Sequence, residues 1–251
     1  MTLSDHALTR ALERAGLSAP VRFEEVTRST QETALAMADA GAPEWTLVAA
    51  AHQTEGRGRL GRSWRDEPGR ALLFSLVLRP DLSPEHGGVL TLLAGVALAE
   101  SCDDLADQRA ACKWPNDLLV AGRKAGGILA ESRMSGDGFD HVVLGVGVNL
   151  GEPPADVPNA GAVDAEDVDL LVAFLRSFAR RYEPGHPAFA GAVVAAYRER
   201  CATLGESVRA VGADGAVIEG VAEDLDETGA LIVLTPEGVR PVRFGSVEHL
   251  R

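Results

Sequence analysis

The sequence predicts an α+β fold in two unequal parts, a large unit that mixes helices with strands and a small terminal unit made of strands alone. Segments with helical spacing of apolar residues alternate with short buried runs as far as residue 149, and two more helical segments follow a connector. From residue 204 the pattern changes to short β segments broken by Gly212, Gly215, Gly229 and Gly238. The expected division is residues 1–203 and residues 204–251.

Each element follows from its local pattern. Leu3, Ala7, Leu8, Leu12 and Ala15 recur at helical spacing and stop at Gly16, which predicts a leading helix over residues 3–15. Residues 21–26 read as a strand, and Ser29 as the N-cap of a helix over 32–40 that ends at Gly41 with Pro43 beyond. Residues 46–51 and 71–78 form buried strands around a long loop, 52–70, that has no apolar periodicity. A helix is expected over 89–106, a strand over 110–114, a hairpin joining 118–120 to 126–132 across Gly122, and a buried strand over 142–149. Residues 151–167, rich in Pro, Ala, Asp and Gly, read as a connector before helices over 170–182 and 189–201. Strands over 207–211, 216–225, 230–234 and 239–244 then form a small barrel.

Bulk properties exclude several classes of function. Hydrophobic residues at 46% and charged residues at 24% give the composition of a folded globular chain. The 37 acidic against 24 basic residues leave a formal charge of −13, which repels polyanions and argues against nucleic-acid binding. Cys102, Cys112 and Cys201 are odd in number and far apart, so neither a disulfide framework nor a zinc site is expected, and a reducing cytoplasm fits. No metal ligands are assigned. Residues 1–14 carry Asp5, Arg10, Glu13 and Arg14 and do not read as a secretory signal. Residues 89–99 are the longest apolar run and are too short to cross a bilayer.

Three clusters carry the chemistry. The first, Gly56-Arg57-Gly58-Arg59-Leu60-Gly61-Arg62-Ser63-Trp64, sets three glycines and three arginines in nine positions. Glycine lets backbone amides approach a ligand, and arginine offers a planar fork of donors to carboxylate or phosphate. Taken alone, the loop is equally a solvated basic segment balanced by Glu55, Asp66 and Glu67. Gly56, Gly61, Arg62 and Ser63 have P-loop spacing, but Arg62 replaces the lysine and a strand, not a helix, follows.

The second cluster is Lys113-Trp114-Pro115-Asn116-Asp117, followed by Lys124 and Gly126-Gly127. Pro115 forces a turn that presents Asn116 and Asp117, while the two glycines leave open space beside the Lys124 ammonium. On their own an Asn-Asp turn and a hairpin lysine are ordinary surface features. The third cluster, Gly145-Val146-Gly147-Val148-Asn149, lacks the third glycine and the helix of a dinucleotide fingerprint. It reads as a strand packed closely on a neighbour, with Asn149 either an edge polar group or a reader of a base edge.

In this order and spacing the clusters resemble the biotin-protein ligase family, whose signatures are a GRGRxGR loop, a KWPND turn followed by lysine and glycine, and a GxGxN strand. The resemblance covers residues 29–149, and the tail from residue 204 looks like that family's small SH3-like domain. It implies a mixed-sheet catalytic domain of the biotin/lipoate ligase type with a small C-terminal SH3-like β-barrel. It further implies that biotin and ATP are activated with Mg²⁺ to biotinyl-5′-AMP, and that biotin is passed to a lysine on the carrier domain of a biotin-dependent carboxylase. Lipoate or octanoyl transfer on a similar fold, and a non-catalytic anion-binding module, are the alternatives.

Carried onto this chain, the resemblance places Ser29, Thr30, Gln31 and Gln53 around the biotin ring, with Gln31 standing where the family more often has asparagine. Arg57, Gly58 and Arg59 would close over biotin, Gly126 would adjoin it, and Lys124 would meet its carboxylate and the α-phosphate. Arg59, Arg62, Trp64, Lys113, Asn116, Lys124 and Asn149 would form the ATP side, with Trp64 against the adenine. Lys124, Arg59 and Asp117 would be catalytic. Family members that repress transcription carry a winged-helix domain ahead of the catalytic one; about 28 residues precede Ser29 here, and the expectation is a monofunctional ligase, monomeric or homodimeric, with no membrane or nucleic-acid partner.

Overall fold

The computed structural model describes residues 3–106, 109–212, 215–243 and 245–250. Its larger sheet has seven strands: β1 (Val21–Thr27), β2 (Leu47–Gln53), β3 (Ala71–Leu78), β4 (Ala110–Lys113), β5 (Asp117–Val120), β6 (Arg123–Ser135) and β7 (Gly138–Asn149). They lie in the order β1-β2-β3-β7-β6-β5-β4, with β1 and β2 parallel and every other neighbouring pair antiparallel. Five helices accompany it: α1 (Asp5–Arg14), α2 (Thr30–Asp39), α3 (Gly88–Ala106), α4 (Asp167–Arg181) and α5 (Phe189–Arg198).

The helices divide unevenly between the faces of the sheet. Leu72, Phe74, Leu76 and Leu78 of β3, with Leu144, Val146 and Val148 of β7, enter one large apolar core with α1, α3, α4 and α5. The opposite face is covered by α2, whose Ala34 and Ala38 meet Val48, Val77 and Val143 in a small separate cluster. A strand sends alternate residues to opposite faces. Ser75, opposite Gly145 in the register, and Gly147, opposite Leu73, therefore lie on the α2 side, at the level of that helix's first turn. A bare strip of sheet is left there, and it becomes the floor of the site.

Capping and charge fix the helix ends. Ser4 Oγ accepts from Ala7 N at 3.2 Å at the start of α1. Asp167 and Asp169 open α4 and Arg180 and Arg181 close it, the arrangement the helix dipole favours. No helix among the described residues is long and apolar enough to cross a membrane.

The expected elements are present with shifted ends, and four features differ. The second helix begins at Thr30, so Ser29 occupies the cap position, yet its side chain makes no capping bond. Residues 56–64 are not a structureless loop but a small hairpin, described below. β6 and β7 run past the expected strands and turn at Gly136, whose φ is +57°. The connector is knitted into the sheet by bridges between Leu150 and Val163 and between Lys124 and Ala160.

The C-terminal unit is an antiparallel sheet of β8 (Ser207–Gly212), β9 (Val217–Leu225), β10 (Leu231–Thr235), β11 (Gly238–Val242) and β12 (Gly245–His249), in the order β11-β10-β9-β8-β12. Four strands were expected; β12 is the fifth, and Phe244, the expected end of the fourth, lies outside the described residues, as does Met1. A sheet ending at β11 and β12 is what the described residues show, and closure of a barrel is not part of it. Val208, Ala210, Ala222 and Val233 belong to the same apolar cluster as the main core, and the small sheet meets the larger unit through α5 beside β9 and through α3 beside Gly229.

Candidate active site

A cavity opens over the bare strip, and its floor is polar. Ser29, Thr30 and Gln31 enter it from the start of α2, Gln53 from the end of β2 and Ser75 from the middle of β3. Gln53 Oε1 accepts from Thr30 N at 2.8 Å and lies 3.1 Å from Thr30 Oγ1. Thr30 Oγ1 is 2.9 Å from Ser75 Oγ, which donates to Gln31 Oε1 at 3.1 Å, and Gln31 Nε2 donates to the Val143 carbonyl at 3.0 Å. Ser29 Oγ is buried and has no hydrogen-bond partner.

The glycines of β7 create the room for this network. A Cβ on Gly145 would stand 2.5 Å from Gln31 Oε1, and one on Gly147 would stand 2.7 Å from Trp64 Cε2. Two side chains thus lie against a strand that presents no side chains of its own. The GxGxN pattern is explained by alternation: its valines enter the core, while its glycines bear Gln31 and Trp64.

The arginine-glycine loop folds over this floor. Arg57 and Ser63 form an antiparallel bridge, Gly58 N donates to Arg62 O at 2.7 Å, and Trp64 N donates to Gly56 O at 2.8 Å. A Cβ on Gly56 would fall 2.5 Å from Trp64 O, so that glycine lets the two arms close. The tip is a short 3₁₀ turn in which Leu60 and Gly61 have φ of +56° and +72°. Arg57 is anchored to Glu131 of β6 at 2.8 Å, and Arg59 Nη1 donates to Asn116 Oδ1 at 3.3 Å. The glycines therefore build an ordered hairpin lid over the floor.

The mouth is cationic although the chain is acidic. Arg57, Arg59, Arg62 and Lys124 line the cavity, and Asp117 is the one carboxylate among the described residues that does. Burial pushes the Arg59 guanidinium below its usual value, Asp117 opposes that shift, and Arg62 adds to it. Lys124 Nζ lies 2.6 Å from Asp117 Oδ1 across the β5–β6 hairpin. Asn116, just before β5, is fixed by donating from Nδ2 to Ile128 O at 2.8 Å.

Twelve expected site residues meet here: Ser29, Thr30, Gln31, Gln53, Arg57, Gly58, Arg59, Arg62, Trp64, Asn116, Asp117 and Lys124. Three do not. Gly126 faces Val148 and Leu118 on the core side, and its neighbour Gly127, one step along the pleat, faces Trp64 and the Lys124 ammonium. Lys113 lies opposite Asp117 on β4 without lining the cavity. Asn149 is buried and donates to Gly161 O at 2.9 Å; it lines an adjoining cleft with Trp64 and Lys124.

Other contributors were not foreseen. Ser75 was legible as the one hydroxyl in an apolar strand. The connector supplies Pro154, Val157, Pro158 and Ala160 to the adjoining cleft, and β12 supplies Gly245, Ser246 and Val247 to the cavity wall. No local pattern marks either contribution, because each depends on packing between distant segments.

Known proteins match both sheets. Residues 23–149 fit the biotin/lipoate A/B protein ligase family, and residues 203–250 fit the biotin protein ligase C-terminal domain. The bifunctional ligase/repressor BirA of Bacillus subtilis is 30% identical over 98% of this chain and 79% of its own. A biotin–[acetyl-CoA-carboxylase] ligase of Mycobacterium tuberculosis is 35% identical over 90% of this chain and 87% of its own. The biotin protein ligase of Aquifex aeolicus, solved in complex with biotin and ATP, superposes with a TM-score of 0.74 at 25% identity, covering 92% of this chain and 99% of that one. With the lid, the KWPND turn and the glycine strand all inside the matched region, this chain belongs to the biotin/lipoate A/B protein ligase family.

Proposed function

We propose that the protein is an ATP-dependent biotin-protein ligase. Biotin's carboxylate oxygen bonds to the α-phosphorus of ATP and pyrophosphate leaves; a lysine amine of a biotin carboxyl carrier domain then bonds to the acyl carbon and AMP leaves. The observation that carries this reading is Ser29, a buried hydroxyl without a partner on a polar floor beneath a cluster of cations. Such a group left unpaired costs about 1–3 kcal/mol, so the floor suits a ligand head that brings its own donors and acceptors. A cyclic urea does so and a dithiolane does not, which favours biotin over lipoate.

The roles follow from position. Ser29, Thr30 and Gln53, with Gln31 behind them, hold the ring, and Arg57, Gly58 and Arg59 form the lid. Trp64, Arg62, Asn116 and Asn149 serve the nucleotide side, where Trp64 lines both clefts; Lys113, which lines neither, is assigned there by the resemblance alone. Two anions must meet, and Arg59, Arg62 and Lys124 offset their repulsion and the charge that develops in the transition state. No side-chain nucleophile is needed. Asp117 holds the Lys124 ammonium and, in the second step, orients the incoming amine. The closed hairpin over the cavity shields a mixed anhydride that water would destroy.

Mg²⁺ would supply charge neutralisation on the phosphates. No group of three or more His, Cys, Asp or Glu that could hold a metal ion occurs among the described residues. Asp117 is the carboxylate available to the ion, a pattern Mg²⁺ accepts when phosphates complete its shell. The chain's acidity fits an enzyme of the cytoplasm that does not bind DNA, and sequence-specific operator binding at moderate salt would contradict that part. The units would divide at residues 203 and 204.

The test is intact-mass analysis of a carrier domain incubated with the protein, ATP and biotin. One biotinyl adduct per carrier is expected, with AMP and pyrophosphate as products. Lipoyl transfer without biotinyl transfer would overturn the reading.

A further inference from the structure

We infer that Ser75 and Gln31 are positioning residues that set the direction of the hydroxyl protons in the floor, and so make the pocket selective for a ring that presents N–H groups. The inference rests on the ligase reading above and names what the floor recognises. It begins at Val143. A carbonyl only accepts, so the Gln31 amide must present its nitrogen to the Val143 oxygen 3.0 Å away, which leaves Oε1 toward Ser75 Oγ at 3.1 Å. The amide lies flat in the space that Gly145 leaves open, since a Cβ there would stand 2.5 Å from Oε1.

Proton counting then fixes the remaining contacts. Ser75 has one hydroxyl proton and gives it to Gln31. In the contact of 2.9 Å between Thr30 Oγ1 and Ser75 Oγ, the donor must therefore be Thr30. The other neighbour of Thr30 Oγ1, Gln53 Oε1 at 3.1 Å, is also an acceptor, already bonded to Thr30 N. The Thr30 proton is spent inside the protein, and what Thr30 can offer the cavity is a lone pair. Ser29 is the opposite case, because its buried Oγ has no partner and its proton is free. Gln53, with Oε1 committed to Thr30, has Nε2 toward Gly56 of the lid.

The floor thus offers an acceptor, Thr30, beside a donor, Ser29, the complement of a cyclic urea's N–H and C=O. A ring with oxygen in place of that N–H would set lone pair against lone pair, because the Thr30 proton is claimed inside the protein by Ser75 Oγ at 2.9 Å, itself committed to Gln31, and by Gln53 Oε1 at 3.1 Å.

Biotin-dependent exchange of pyrophosphate into ATP tests this, measured for the wild type, Ser75→Ala and Gln31→Met with biotin and with an analogue carrying oxygen in place of one ring N–H. In Ser75→Ala the Thr30 hydroxyl loses the nearer of its two acceptors and keeps only Gln53 Oε1 at 3.1 Å, so the biotin KM should rise about fivefold, the ATP KM should stay within about twofold, and the preference for biotin over the analogue should fall. Gln31→Met keeps the side-chain length but no longer claims the Ser75 proton, and should move biotin KM and preference in the same direction. Unchanged biotin KM and preference in both variants would overturn the inference, as would a parallel rise in the biotin and ATP KM values, the mark of a merely structural role. A wild-type protein with no biotin-dependent exchange would instead overturn the ligase reading itself.

Discussion

The indole N–H of Trp114 donates to the Gly229 carbonyl at 3.0 Å, tying the turn that enters the active site to the C-terminal sheet. Its backbone N–H donates to Thr203 Oγ1, also at 3.0 Å, and the ring is buried. The next peptide bond, to Pro115, is cis, and beyond it come Asn116 and Asp117. The small sheet therefore holds the KWPND turn from behind and returns to the cavity at Ser246. Within the motif, Trp114, Asn116 and Asp117 all line the cavity, and Trp114 is the one bonded to the C-terminal unit.

Trp114→Phe keeps an aromatic ring but removes the indole donor, leaving the buried Gly229 carbonyl without it. The expected cost is about 1–3 kcal/mol of stability, read as a lower denaturation midpoint with an unchanged slope. Because Asn116 and Asp117 follow within three residues, kcat for adenylate formation should fall as well. A variant as stable and active as the wild type would show that the bond positions nothing.

Gly147→Ala should act on the nucleotide side alone. The new Cβ would stand 2.7 Å from Trp64 Cε2 and 3.0 Å from Nε1, and the indole would have to lift from the strand. Overpacking of this kind costs roughly 1–3 kcal/mol. The ATP KM should rise by about tenfold or more, with biotin affinity little changed because the floor residues lie around Gly145. Titration calorimetry with each ligand separates the effects, and equal weakening of both would refute the assignment.

How much of this was legible in sequence depends on the range of the interactions involved. β3 announces itself as eight buried residues in a row, and α4 through its apolar spacing and its charged ends. β12 does not, because in Gly-Ser-Val-Glu-His the buried side chain is Val247, and its pairing with β8 supplies what its pattern lacks. The lid hairpin was hidden for a similar reason: it is held by backbone bonds between polar residues, which have no periodicity to read. Residue types at the site were recoverable only jointly, since the cationic loop, the lysine hairpin and the glycine strand are each ambiguous alone and resemble one family's signatures in that order. Facing was not, and a single step along the pleat separates Gly126 in the core from Gly127 in the cavity. Asn149 shows the same limit, because its partner Gly161 belongs to a connector that reads as a linker.

Lys124 and Arg59 should fail in different ways. Lys124 pairs with Asp117 in a partly exposed ion pair, which contributes little to stability. Lys124→Ala should therefore fold normally and lose adenylate formation by roughly a hundredfold or more. Arg59 reaches back from the lid to Asn116. Arg59→Gly should still form the adenylate but retain it poorly, so that free biotinyl-5′-AMP accumulates in solution. Chromatography of the nucleotide products distinguishes the two, and an active Lys124 variant would remove that lysine from the mechanism.

His249 gives the fold a pH dependence in the mildly acidic range. Burial, followed by the nearby Lys113 charge, pushes its imidazole below the ordinary value of 6.5, with Glu206 opposing. The unfolded chain titrates near the ordinary value, so as pH falls the unfolded state takes up this proton first. Stability associated with the neutral imidazole is complete above that value and is lost as pH falls through 6.5 toward the lower folded value. Carboxylates held below their usual range, such as Glu100 beside Arg181 and Ser177, add their losses at more acidic pH. Denaturant midpoints at pH 7.5 and about pH 5 should therefore differ in the wild type, and His249→Gln, which keeps a polar side chain but cannot take the proton, should narrow that difference. If the two proteins lose stability equally over this interval, His249 is not the group responsible.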